Sequence, residues 1–372
     1  MFINCKAFFK FEESKIYLGR LPNMTNNDIS TQLQQQVQTA IETATPLYIR
    51  GGNSKAFYGR KPTGTPLNLS DHRGITNYEP TELVITARAG TPLKEIENTL
   101  SSENQMLGFE PPAFGETATL GGTIACNFSG PRRPYTGAAR DFVLGCKLLN
   151  GKGEILHFGG EVMKNVAGYD VSRLMTGALG TLGVLLEISL KVLPKPETEL
   201  TLIQELSTET ALKHLHEWGL KPLPISASCF YDNQLFIRLS GSPGAVAAAQ
   251  KTIGGDTMNN VFWQQLKEHQ LPFFNTTTPL WRLSLSSDTP PNGECLYEWG
   301  GAQRWLKTDA ETTIIRETAQ NAGGHATLFR ASDSTDEIFH PLPEGMMRIH
   351  QQLKQAFDPK RIFNKGRLYQ AL

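Results

Sequence analysis

The sequence predicts an α+β fold. Three observations carry this expectation. Helical and strand periodicities alternate through the first half of the 372 residues. Glycine-rich turns interrupt them at 50–55, 118–130 and 177–183. After Pro196 the glycine clusters thin out and a β-α-β-β-α succession follows, the order of a layer with helices covering one sheet face.

Taken in order, Asp28 is placed to cap a helix whose apolar face is Ile29, Leu33, Val37, Ala40 and Ile41. A short strand, Leu47 to Arg50, runs into Arg50-Gly51-Gly52-Asn53-Ser54-Lys55. Glu82 to Ala87 reads as a strand. Thr91-Pro92 then opens a helix, with Thr as N-cap and Pro at the first helical position. Asp141 to Leu149 and Glu154 to Phe158 form a hairpin across Asn150-Gly151-Lys152-Gly153, where Asn-Gly supplies the positive φ angles of a tight turn. From Val184, apolar Leu186, Ile188, Leu190 and Val192 alternate with Glu187, Ser189 and Lys191, as in a half-buried strand.

Pro194-Lys195-Pro196 ends that strand and is read as a domain boundary. Beyond it come a strand near 201–206, a helix over 209–218, strands 226–231 and 234–239 turning at Asp232-Asn233, and a helix over Pro243 to Ile253. The expected organisation is residues 1–195, a cap-like α+β region at 196–320, and a segment at 321–372 that returns to the first part. No internal repeat is visible.

Bulk composition excludes several classes. Lys plus Arg and Asp plus Glu are 36 each, which argues against a nucleic-acid or anionic-membrane surface. Five widely spaced cysteines, with no C-x-x-C pair, disfavour an iron–sulfur cluster, a structural zinc or a disulfide framework in this chain. No apolar run approaches the ~20 residues that span a bilayer. A cytoplasmic protein is expected, reaching a membrane only through partners.

The glycine clusters carry the chemistry. In Arg50 to Lys55, successive backbone N–H groups form a concavity that suits an anion, reinforced by two cations; the alternative is an ordinary surface loop. Gly121, Gly122, Ala125 and Gly130 let a flat ring or a pyrophosphate approach the backbone, while tight packing would also select small residues. A nicotinamide fingerprint fails, because Leu156 stands at the third glycine position after Gly151 and Gly153. Walker A, G-x-S-x-G and H-E-x-x-H sequences are missing as well.

Arg50 to Lys55, Ala118 to Gly130 and Lys164 to Pro194 together resemble the vanillyl-alcohol-oxidase (PCMH-type) FAD-binding domain. More narrowly, Lys164-Asn165-Val166-Ala167-Gly168-Tyr169-Asp170-Val171-Ser172-Arg173-Leu174 resembles the FAD-binding E subunit of bacterial glycolate oxidase. So do Gly324-His325-Ala326-Thr327-Leu328-Phe329-Arg330 and the tail from Ala356 to Leu368. The resemblance implies two α+β subdomains holding FAD, with a smaller ferredoxin-like cap region. It implies that Arg50, Gly51, Gly52, Asn53, Ser54 and Lys55 wrap the pyrophosphate. Pro112, Gly115, Thr119, Gly121, Gly122, Ala125, Asn127 and Gly130 would border the diphosphate and isoalloxazine. Gly177, Gly180, Thr181, Gly183 and Val184 would lie near the adenine end or beneath the pyrophosphate, and Asn364 and Gly366 would close the pocket.

Departures refine the expectation. Asn53 stands where many relatives attach FAD through a histidine, so noncovalent FAD is expected. Cys126 is read as a small buried thiol. His325 has no second histidine nearby in sequence, and Leu179 replaces a glutamate common in substrate-oxidising relatives, so no metal site is expected. The catalytic residues remain unassigned, with His325, Lys164 and Arg173 as candidates. Lys164, Tyr169 and Arg173 are read either as binding a carboxylate or, for Lys164 and Arg173, as solvated or paired, with Tyr169 packing over the flavin; Arg132-Arg133 is read as a solvated turn or subunit contact. The resemblance implies a complex with a larger flavin subunit and an iron–sulfur subunit that oxidises glycolate to glyoxylate, in which this chain relays electrons or completes the assembly. The alternatives are a self-sufficient D-2-hydroxyacid dehydrogenase and a structural flavin-fold subunit.

Overall fold

The computed structural model describes residues 26–160, 170–290, 293–331 and 337–372. The first half contains α1 (Ser30–Thr43), β1 (Leu47–Arg50), β2 (Thr65–Asn68), β3 (Ile75–Glu79), β4 (Val84–Arg88), α2 (Leu93–Ser102) and β5 (Gln105–Met106). It continues through α3 (Leu120–Cys126), α4 (Arg133–Thr136), α5 (Ala139–Phe142), β6 (Val143–Leu149), β7 (Ile155–Gly159), α6 (Val171–Met175), β8 (Val184–Lys191) and β9 (Leu193–Pro194). β1 and β2 pair in parallel, from Leu47 opposite Thr65 to Arg50 opposite Asn68. The main sheet has the order β3-β4-β8-β6-β7.

The core of this half explains the helices. Leu33 and Val37 of α1 and Leu93, Ile96 and Leu100 of α2 pack with Ile85, Leu186, Ile188 and Leu190 of the sheet. Asp28 does serve α1: its Oδ1 accepts from Ser30 N at 2.9 Å, one residue before the formal cap at Ile29.

Three local expectations change. Pro92, not Thr91, is the N-cap of α2. The Thr91 hydroxyl instead accepts from Gly74 N at 2.9 Å, tying the helix entry to the residue that leads into β3. The β6–β7 connection is not a tight Asn-Gly turn either. Positive φ falls on Gly153, while Asn150 Oδ1 accepts from Lys152 N and Glu154 N. Gly151 is needed for another reason, since a Cβ there would lie 2.3 Å from Asp358 Oδ1. Lastly, β8 is central in its sheet, so Leu185 and Ser189 on its second face are also buried.

The second half comprises β10 (Thr198–Glu205), α7 (Thr208–Gly219), β11 (Ile225–Tyr231), β12 (Gln234–Gly241), α8 (Pro243–Ile253), β13 (Asp256–Met258) and α9 (Val261–Lys267). It then runs through β14 (Leu280–Ser284), β15 (Cys295–Glu298), β16 (Gln303–Lys307), α10 (Thr312–Asn321), β17 (His325–Arg330) and α11 (Glu344–Phe357). Its sheet has the order β13-β10-β12-β11-β15-β16-β14-β17. The first four strands follow the ferredoxin-like order of a β-α-β-β-α-β unit. The last four repeat that order in mirror along the sheet, with no counterpart of the first helix among the described residues, and the halves join at Cys229 opposite Glu298. This repetition is one of topology; the sequence does not show it. Asp232 and Asn233 both take φ near +55°, as the tight β11–β12 turn requires.

One face of this sheet is covered by α7 and α8, with Leu215, Trp218 and Val246 on Leu235, Ile237 and Leu239. The other face carries Ala227, Phe236, Trp305 and Phe329 and meets Tyr58, Phe128 and Leu179 of the first half. β17, expected to have returned to the first half, pairs with β14. The return is made by Phe357, Ile362 and Phe363, which pack in the first core.

Candidate functional site

Two adjoining clefts of about 540 and 520 Å³ open where the loop after β1, α3 and the 177–183 turn converge. Both are walled by Ile49, Arg50, Gly51, Thr119, Gly122, Ala125, Leu179 and Asn364, so they form one groove.

The loop after β1 is held from both sides. Thr117 Oγ1 donates to Gly52 O at 2.6 Å, and Ser54 Oγ donates to Ala113 O at 2.8 Å. Tyr48 OH donates to Asn53 Oδ1 at 2.7 Å, with Asn53 in the left-handed region at φ 62°. Gly52 is obligatory, because a Cβ would sit 1.4 Å from Thr117 O. In α3, Thr119 caps by accepting from Gly122 N at 3.3 Å. Gly121 serves packing, since its Cβ would meet Ala89 Cβ at 2.6 Å, whereas Gly122 faces the groove. Gly121 lines the groove as well, so close packing and proximity to the groove meet at the same residue.

Asn364 stitches the walls together. Its Oδ1 accepts from Ile49 N at 2.8 Å, and its Nδ2 donates to Leu179 O at 2.6 Å. That grip holds Leu179 at φ 49°. The tail is fixed by a buried ion pair: Lys354 Nζ donates to Asp358 Oδ2, Thr181 O and Phe363 O, all within 2.8 Å.

The electrostatics of the groove are cationic. Lys55 is 6% exposed and, among the described residues, donates only to Ala113 O at 3.1 Å and Ser54 Oγ at 3.4 Å. Arg367, equally buried, donates to Tyr58 O at 2.8 Å and Arg60 O at 3.3 Å. Among the described residues, neither has a carboxylate within 4 Å, and Arg50 on the rim has none either. Burial pulls the Lys55 ammonium and the Arg367 guanidinium below their ordinary pKa values. Cys126 also lines the groove; burial pushes its thiol up to about 11, so it is neutral there. Two buried cations beside a glycine turn, with no carboxylate within 4 Å among the described residues and Glu268 and Glu97 acting on Lys55 only from farther off, fit the diphosphate of a dinucleotide.

The expected site residues divide by position. Arg50 to Lys55, Thr119, Gly121, Gly122, Ala125, Gly180, Gly183 and Asn364 border the groove. Gly177 buttresses Asn127, Thr181 O receives Lys354, and Val184 lies in the core. Asn127 ends α3 in the left-handed conformation, and its Oδ1 is buried without a partner among the described residues. Gly115 lies behind Ser54, Gly366 donates to Leu372 O, and Pro112 and Gly130 line a separate cavity. Arg367 and Tyr48 were missed by sequence reasoning. Arg367 sits in the recognised tail motif, but nothing local tells that it points back at residues 58–60.

The catalytic candidates are scattered. Lys164 and Tyr169 lie outside the described residues. Arg173 is exposed and pairs with Asp170 at 3.0 Å. His325 is exposed at the start of β17 and lines neither cleft. Though distant in sequence, His340 comes to 6.5 Å from His325 between ring centroids, and its Nδ1 accepts from Ala326 N at 3.4 Å. No group of three His, Cys, Asp or Glu among the described residues is placed to hold a metal. Arg132, expected in a solvated turn or a subunit contact, is buried against Glu110.

Comparisons with known proteins agree with this geometry. Residues 30–159 match the FAD binding domain family. The chain is 56% identical over 348 residues to glycolate oxidase subunit GlcE of Escherichia coli strain K12, covering 93% of this chain and 99% of that one. It is 32% identical to glycolate oxidase subunit GlcD of Bacillus subtilis over 44% of this chain and 35% of that protein. It is 30% identical to a D-lactate dehydrogenase of Archaeoglobus fulgidus over 53% of this chain and 44% of that protein. It thus spans less than half of those two. A solved alkyldihydroxyacetonephosphate synthase shares the fold, with a TM-score of 0.63 and 16% identity over 91% of this chain and 75% of that one.

Proposed function

Because the chain belongs to the GlcE family of glycolate oxidase subunits, we propose that it is the FAD-carrying subunit of a complex that oxidises glycolate to glyoxylate, acting as relay or assembly partner. The observation that carries the cofactor reading is the groove with its buried Lys55 and Arg367, neither of which has a carboxylate within 4 Å among the described residues. FAD is an acceptor for hydride and for single electrons. In this chain, the 50–55 loop, Lys55 and Arg367 would hold the diphosphate. The small-residue face of α3 and the turn at Leu179 and Gly180 would flank the rings, with Asn364 fixing their spacing. Asn53 offers no nucleophile for attachment, and the Cys126 thiol is held neutral, so the cofactor is noncovalent.

The relay role is supported by what borders the groove. No histidine or carboxylate lies in either cleft wall among the described residues, so none there is placed to take an alcohol proton. A larger flavin subunit of the GlcD kind would supply that chemistry, and an iron–sulfur subunit would carry electrons onward. No helix among the described residues is long and apolar enough to cross a membrane. The test is an anaerobic glycolate titration of the isolated, FAD-loaded chain. A persistent oxidised-flavin band is expected; bleaching at a rate matching the complex would overturn the relay reading. Acid precipitation should release all flavin into the supernatant.

A further inference from the structure

One carboxylate of the second half reaches the backbone that supports the flavin groove. Glu268 is the C-cap of α9, and its side chain is 9% exposed. Its Oε1 accepts from Ala113 N at 3.0 Å and its Oε2 from Phe114 N at 2.7 Å. These are consecutive N–H groups, and Phe114 takes the left-handed φ of 51°, so the turn cups the carboxylate as a backbone nest cups an anion. Lys267 Nζ stands 3.6 Å from Glu268 Oε1 and 4.0 Å from Glu97 Oε1 of α2.

A single peptide group joins this carboxylate to the groove. Its N–H, on Phe114, donates to Glu268, while its carbonyl, on Ala113, accepts from Lys55 Nζ at 3.1 Å and from Ser54 Oγ at 2.8 Å. An anion on the N–H side polarises the amide and makes the carbonyl a stronger acceptor for the ammonium on the other side. An ammonium has three N–H donors. Those of Lys55 serve Ala113 O and Ser54 Oγ among the described residues, which leaves one for the groove that Lys55 lines.

We propose that Glu268 is a positioning residue for the cofactor: through the Ala113–Phe114 peptide group it holds the Lys55 ammonium against the groove, a role that rests on the FAD reading and makes flavin binding depend on the second half being docked. Charge follows the same path. Burial lowers the Lys55 pKa, Cys126, Glu268 and Glu97 oppose that, and Lys267 adds to it. The Cys126 thiol, pushed up to about 11, stays neutral below that pH, and Arg367 shares the groove with it in every variant. A diphosphate is held by the protonated amine, so flavin affinity is steady below the Lys55 pKa of the free chain and falls as pH rises through it. Removing the Glu268 charge brings that fall to lower pH. Removing the Lys267 charge delays it to higher pH.

The test is fluorescence titration of the full-length apo-protein with FAD from about pH 6 to pH 10, the range in which a depressed lysine titrates. Glu268→Ala, which frees the peptide group, should weaken FAD binding about tenfold at pH 7. Glu268→Gln keeps an acceptor oxygen for Phe114 N–H and should stay within about threefold of the parent there. The pH at which affinity begins to fall should drop by about half a unit or more in Glu268→Gln and rise in Lys267→Met. The flavin's own ionisation, common to all variants, is read from Lys55→Met. Loss of fold cannot move two variants in opposite directions. Onsets that coincide, or that move the same way, would overturn the inference, as would Glu268→Ala binding as tightly as the parent. A parent chain that takes up no FAD at any pH would overturn the cofactor reading instead.

Discussion

Lys55 decides the chemistry of the groove, because a buried ammonium whose contacts are two neutral acceptors, with Glu268 and Glu97 acting only from farther off, is further stabilised by an anion that completes its shell. A charge-assisted hydrogen bond contributes about 1.5–3 kcal/mol, and 1.4 kcal/mol is a factor of ten. Lys55→Met should therefore weaken FAD binding by about tenfold or more while leaving the apo-protein at least as stable. Flavin-fluorescence titration with a parallel urea melt checks both, and an unchanged Kd would place the diphosphate elsewhere. At this scale, legibility follows sequence distance. Arg50 to Lys55 could be read because glycine, cations and hydrogen-bonding side chains are adjacent. Arg367 could not, since its partner Tyr58 O lies 309 residues away. Cys126 was legible as a small thiol, but its place beside the groove depends on where α3 ends.

Elements were read from period and ends, and they failed where another element intruded. α8 begins at Ser242-Pro243 and ends at Gly254 because the cap, the Pro at N1 and the terminal glycine agree. The β6–β7 turn was misread because the backbone at Phe357 and the side chain of Asp358 press on Gly151, a contact no local rule supplies. The same tail carries the pair that fixes Asn364. Lys354 and Asp358 are 1% and 0% exposed, and removing one partner from such a pair costs about 3–5 kcal/mol. Lys354→Met should lower the unfolding free energy by that amount in a denaturant melt. It should also weaken flavin binding, because Phe363 and Asn364 lose their anchor. A variant as stable as the parent would mean that Asp358 is satisfied by backbone N–H groups alone.

The assembly of the two halves is a property of the whole molecule, and it rests on charge as well as on aromatic packing. Glu110 accepts from Arg132 Nε at 3.1 Å and from Arg238 Nη2 at 2.8 Å, while Arg132 also binds Glu199. The network therefore runs from the first half into β10 and β12. Composition gave Glu110 no distinction, and Arg132 looked like a surface cation, because their partners belong to a sheet built 67 and 128 residues later. Burial alone would raise the Glu110 carboxyl, but Arg238 and Arg132 outweigh it and hold the pKa below the ordinary value. Its contribution to stability is therefore fully present above the unfolded pKa of about 4.3 and fades as pH falls through the lower folded value. Glu110→Gln leaves two buried guanidinium groups sharing the partly exposed Glu199, and should cost about 3 kcal/mol at pH 7. Since a protonated glutamate and a glutamine are alike in charge, the difference in Tm between parent and variant should narrow as pH drops below about 4. A gap that stays constant from pH 7 to 3 would show that the carboxyl is not ionised at the junction, and that the two halves are held by the Tyr58, Phe128, Trp305 and Phe329 rings instead.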